Sequence, residues 1–123
     1  MTGEHDTAGR RSIERELKRG TVELIVLHVL EPGEAYGYEI ADKLAARTDG
    51  TLDVKEGTLY PVLYRLERAG LVATRWDTPA RGVPRKYYSL TDEGRRELAV
   101  LTGEWTTFVD AMARLLGRKE ASS

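Results

Sequence analysis

Gly57-Thr-Leu-Tyr-Pro-Val-Leu-Tyr-Arg-Leu-Glu-Arg-Ala-Gly-Leu-Val72 and, shortly after it, Pro84-Arg-Lys-Tyr-Tyr-Ser-Leu-Thr-Asp-Glu-Gly94 decide how this chain folds. In the first stretch Leu59, Val62, Leu63 and Leu66 recur at the steps that gather side chains on one face of an α-helix. The spacing predicts a helix from about Glu56 to Ala69, stopped by Gly70. Pro61 is tolerated because it lies near the first turn, where backbone N–H groups lack helical partners. Leu71 to Trp76 then reads as a strand and Val83 to Leu90 as its partner. Asp77-Thr-Pro-Ala-Arg-Gly82, a run of turn formers, joins them. Thr91 stands as N-cap of a further helix, with Asp92 and Glu93 in its first turn, where carboxylates are favoured. A helix, a two-stranded hairpin with a basic tip and another helix form the layout of a winged helix-turn-helix. That layout commonly places one helix in a DNA groove and the hairpin against the backbone.

Working upstream, Tyr36 to Thr48 predicts a helix with Ile40, Ala41, Leu44 and Ala45 inward and Glu39, Asp42, Lys43 and Arg47 outward. Pro32-Gly33 and Asp49-Gly50 mark turns on either side. Before it, Thr21 caps a core helix in which Val22, Ile25, Val26, Val29 and Leu30 form a buried stripe. Ser12 caps an earlier turn carrying Glu14 and Glu16, which Gly20 interrupts. The expected class is α+β, mainly α: a disordered tail over 1–11, a winged helix DNA-binding domain over 12–90 with a two-stranded wing, a C-terminal dimerisation helix over 91–118 and a disordered tail over 119–123.

The 123 residues, 41% of them hydrophobic, suit one domain with a modest core, which gains by sharing a surface with a copy of itself. No cysteine is present, which excludes disulfides, thiolate zinc sites and cysteine nucleophiles. No apolar run approaches a membrane span and the first residues do not form a leader, so a cytoplasmic protein is expected. His5 and His28 have no ligand set around them, Glu39 and Asp42 have no His or Cys partner, and no glycine loop would cradle a phosphate. No enzyme activity, metal or cofactor is expected.

The net charge of −1 argues against indiscriminate coating of nucleic acid, but its distribution is uneven. Lys55, Arg65, Arg68, Arg75, Arg81, Arg85 and Lys86 face only Glu56, Glu67 and Asp77 within their own stretch. That is a local electrostatic footprint on the helix and wing. Thr58, Tyr60 and Tyr64 are candidates for base edges or phosphates, Lys55 and Arg65 for phosphates. Arg81, before Gly82 at the hairpin tip, is placed for the minor groove or backbone, and Arg85 and Lys86 for phosphates. The competing reading is a solvated helix face and a hairpin whose charges deter aggregation.

In the final helix Leu98, Leu101, Trp105, Phe108, Met112 and Leu115 alternate by three and four residues, the seam that pairs helices. A partner copy is the natural cover. Trp105 and Phe108 serve either as dimer core or as a flat platform for a ligand between helices, and their spacing leaves both open.

Arg19-Gly-Thr-Val-Glu-Leu, Tyr36-Gly-Tyr-Glu-Ile and the two stretches quoted first together resemble the PadR family of bacterial transcriptional regulators, in particular its short members with one C-terminal helix. The resemblance runs from about Lys18 to Gly117. It implies a homodimer joined through the C-terminal helices, repression of a promoter at a double-stranded DNA inverted repeat, and release by a small aromatic effector. It also implies that Trp105 stacks on planar ligands. The alternative from another class is a dimeric small-molecule or protein-binding module without specific DNA binding, which would have no need of the basic stretch from Lys55 to Lys86.

Overall fold

The computed structural model describes residues 20–52 and 54–117. The elements in chain order are helix α1 over 20–29, strand β1 (Ala35–Tyr36), helix α2 (Gly37–Arg47), helix α3 (Glu56–Arg68), strands β2 (Val72–Asp77) and β3 (Arg85–Leu90), and helix α4 (Asp92–Leu115). The expected tails and the turn capped by Ser12 lie outside the described residues. Thr21 is already helical, so it lies within α1 rather than capping it; the turn that Gly20 is expected to interrupt lies outside the described residues.

The core collects one stripe from each helix. Val26, Leu27 and Leu30 of the α1 region, Ile40 of α2, and Leu59 and Leu63 of α3 are all fully buried. Each contributes roughly 1.5–3 kcal/mol relative to exposure. Leu90 and Tyr88 of β3 and Val72 of β2 close this core from the sheet side.

The expected two-stranded wing is present as β2 and β3, and a further strand makes the sheet three-stranded. Antiparallel β1 adds to the free side of β3, giving the order β1-β3-β2, with Ala35 opposite Tyr88 and Tyr36 opposite Tyr87. The hairpin proper pairs Val72 with Leu90, Thr74 with Tyr88 and Trp76 with Lys86 on its inner face. Arg75 and Tyr87 pair on the outer face.

The end of α3 is locked to the start of α4. Gly70 takes φ +77°, a conformation costly for any side chain but hydrogen, and the turn closes with Leu71 N–H donating to Leu66 O at 2.9 Å and Gly70 N–H to Glu67 O at 3.0 Å. Thr91 caps α4 as expected, its hydroxyl accepting from Gly94 N–H at 3.0 Å while donating to Gly70 O at 2.6 Å. Its own N–H donates to Leu71 O at 3.1 Å. Gly94 passes so close that a Cβ there would collide with the Leu71 carbonyl.

The seam expected on α4 divides in two. Leu98 is 5% exposed within the subunit's own core, and Leu101 packs partly against that core. Of the expected dimer seam, Leu98 is thus taken up by intramolecular packing and Leu101 in part, because the first turns of α4 run along the domain. Further on, Trp105, Phe108 and Leu115 are exposed, and Met112 is half-buried.

Candidate nucleic-acid interface

With about 100° per residue, the buried side chains of α3 define an opposite, outermost stripe of Gly57, Pro61, Tyr64 and Arg68. Tyr64 is 59% exposed, and the Arg68 guanidinium lies 5.8 Å from its ring centre. Pro61 supplies no N–H to the Gly57 carbonyl four residues earlier, so this acceptor lacks its usual helical donor on the outermost face. Thr58 and Arg65 stand on the edge toward α1, Tyr60 and Glu67 on the edge toward the sheet.

Each expected contact residue has a definite setting. Thr58 and Lys55 are exposed at the start of α3. Tyr60 is not purely outward: a Cβ on Gly37 would come 2.5 Å from its hydroxyl, so its ring packs over the first turn of α2. Arg65 is held by Glu23 of α1 at 3.3 Å. Lys86 is held by Glu67 at 3.2 Å, the same carboxylate that accepts from the Thr74 hydroxyl at 3.1 Å. Arg81 is exposed in the loop between β2 and β3. Arg85 lies over the Tyr36 ring at 4.6 Å from its centre.

The outer face of the sheet carries residues that the sequence reading passes over. Tyr36 meets Tyr87 edge to face at 5.5 Å, and Arg75 lies over Tyr87 at 4.6 Å. Arg75 also forms a two-pronged pair with Glu34. Hydrogen bonding to this guanidinium holds the Glu34 carboxyl below its ordinary value and raises Arg75 in return. Among the described residues, Arg68, Arg81 and Arg85 have no acidic partner, while Arg65, Arg75 and Lys86 do. The positive surface is therefore narrower than the residue count suggests, and it runs from the outer stripe of α3 to the wing tip.

Between α3 and the wing lies a half-open cleft of about 360 Å³, walled by Tyr60 and Gly37 on the helical side and by Trp76, Pro84 and Lys86 on the sheet side. No group of three or more His, Cys, Asp or Glu side chains able to hold a metal occurs among the described residues. Among the same residues no helix is long and apolar enough to cross a membrane.

A three-helix core with an exposed third helix, a hairpin wing beside it and a long trailing helix defines a winged helix-turn-helix protein of the DNA-binding class. Comparison with known proteins names the family within that class. The model of the transcriptional regulator PadR-like family matches residues 26–100. The transcriptional regulator Rv3488 of Mycobacterium tuberculosis is 32% identical over 103 residues, covering 84% of this chain and 90% of that protein. A crystal structure of a PadR family transcriptional regulator from Eggerthella lenta superposes with a TM-score of 0.69 at 37% identity, covering 94% of each chain. Bacillus subtilis PadR in complex with operator DNA superposes at 0.60 with 28% identity, over 64% of this chain and 45% of that one. This chain belongs to the PadR-like family of transcriptional regulators, and it is a DNA-binding regulator rather than an enzyme.

Proposed function

We propose that this chain is a homodimeric repressor that binds an inverted repeat in a promoter and is released by a small aromatic or drug-like ligand. The observation that carries the DNA half of this reading is the outermost stripe of α3, with Tyr64 and Arg68 exposed, together with the wing cations Arg81 and Arg85, which have no acidic partner among the described residues. Thr58 and Tyr64 face base edges, while Lys55, Arg68, Arg81 and Arg85 meet phosphates. Arg65 and Lys86 join them only by leaving Glu23 and Glu67.

The dimer half rests on the far end of α4. Trp105, Phe108, Val109, Leu115 and Leu116 are 42–77% exposed, a large apolar run for one helix. A second α4 covers it, with Trp105, Phe108, Met112 and Leu115 as the seam. The Trp105 and Phe108 rings, 6.0 Å apart and tilted by 37°, offer a planar ligand a surface there. Two copies related by a two-fold axis present their α3 helices to successive major grooves about 34 Å apart. Such a regulator works in the cytoplasm, on chromosomal DNA.

Gel shifts on the DNA upstream of the chain's own gene, across a salt series, test the reading. Retention that falls steeply with salt is expected. Absence of retention even at low salt, with the protein folded, overturns it.

A further inference from the structure

Trp76 is the one large aromatic side chain of the wing that the interface described so far leaves unused. It is 63% exposed, although its register opposite Lys86 puts it on the inner face of the sheet, the face that α3 covers further down. At Val72 and Tyr88 that face is buried; at Trp76 it overhangs the edge of α3 and becomes one wall of the cleft opposite Tyr60. An indole in such a place exposes an apolar plane and a single N–H donor to whatever enters the cleft.

We infer that the cleft between α3 and the wing receives the sugar-phosphate backbone of the DNA strand flanking the groove that α3 enters, with the Trp76 indole packed on a deoxyribose and its N–H donating to a phosphate oxygen. This rests on the DNA-binding reading above and assigns it one more residue. Geometry agrees with that occupant: a helix seated in a major groove about 12 Å wide leaves one groove wall on the side of the adjacent hairpin. Charge agrees. Arg85, which also lines the cleft, is stacked on Tyr36 with no acidic partner among the described residues; Arg81 lies on the connecting loop beyond it. The cleft is half-open to solvent rather than an enclosed cavity.

A backbone contact carries no sequence information, so it forms on any duplex. The test uses the full chain and two probes: a random-sequence duplex of about 30 bp, three helical turns long, at low salt, and the DNA upstream of the chain's own gene. Tryptophan emission of the parent is expected to change on adding either duplex, and Trp76→Phe, which retains Trp105, is expected to lose that change. Trp76→Ala is expected to weaken binding to both about ten-fold, as the loss of apolar packing on the sugar and of one hydrogen bond to a charged phosphate does. The salt slope stays unchanged, because the indole carries no charge, whereas Arg85→Ala lowers it by about 1 for each subunit bound. Persistence of the emission change in Trp76→Phe, or binding of folded Trp76→Ala within about two-fold of the parent, overturns the assignment while leaving the DNA-binding reading intact. Failure of the parent to bind either duplex removes both.

Discussion

Arg65 meets Glu23 at 3.3 Å and Lys86 meets Glu67 at 3.2 Å, so each cation must leave an acid before it can engage a phosphate. Both pairs are partly exposed, and pairs of that kind contribute about 0.2–1 kcal/mol. Glu23→Gln should therefore tighten DNA binding by no more than about five-fold at low salt, and Arg65→Ala should weaken it less than Arg68→Ala does. Gel shifts of the three variants check this, and a larger loss from Arg65→Ala would show that the pair opens readily on DNA. Charge counting along the chain could not reveal these partners, because Glu23 lies 42 residues from Arg65 and Glu34 lies 41 from Arg75. The cations were legible in the sequence; their neutralisation was not. Gly94 makes a sharper case. With the Leu71 carbonyl in the way, Gly94→Ala must push α4 off the end of β2, at a cost of about 1–3 kcal/mol. Urea unfolding would register it as a lower midpoint at constant slope. Tyr88 gives a pH dependence. Burial, aided by Tyr60 and Glu67, raises its phenol above the ordinary 10.0, so the folded state holds that proton more tightly than the unfolded chain. The resulting stabilisation is complete below pH 10 and is lost as pH rises through the raised value. Thermal melts above about pH 10 should fall more steeply for the parent than for Tyr88→Phe.

At the scale of elements, Glu67 works as a strut. One carboxylate on the sheet-facing edge of α3 reaches Thr74 on β2 and Lys86 on β3, fixing the angle between helix and wing. Glu67→Gln keeps a group able to accept from Thr74 and sets Lys86 free, which separates two outcomes. If wing placement dominates, operator affinity falls by about ten-fold or more, roughly the value of one charge-assisted hydrogen bond. If neutralisation of Lys86 dominates, affinity for any duplex rises. Placement is expected to win, because Lys86 is only partly exposed. The helices were readable from periodicity: α2 and α3 lie within a residue of their expected bounds, since their stripes run for several turns. Strand β1 was not, because two residues carry no periodic signal, and it exists only through pairing with Tyr87 and Tyr88 far along the chain. The α4 pattern was readable as helix but not as two environments. Leu98 and Trp105 belong to the same heptad seam, and only the path of α4 past the core decides that the domain covers the first and leaves the second exposed.

For the whole molecule, the salt dependence reports how many cations reach DNA. If Arg68, Arg81 and Arg85 of both subunits each neutralise a phosphate, log K should fall with log salt with a slope of about −5; recruitment of Lys55, Arg65 and Lys86 as well would steepen it to about −11. A slope near −3 would mean that only one subunit engages. Analytical ultracentrifugation at micromolar concentration tests the assembly itself, with Trp105→Glu expected to dissociate the dimer and weaken operator binding. The junction of Gly70 and Leu71 with Thr91 and Gly94 bears on how such an assembly could be switched. Two hydrogen bonds and a glycine without room for a methyl join the end of α3 closely to the root of α4. The root of the trailing helix is thus tied directly to the end of α3, so a displacement of α4 should be passed on to α3 through Thr91 and Gly94.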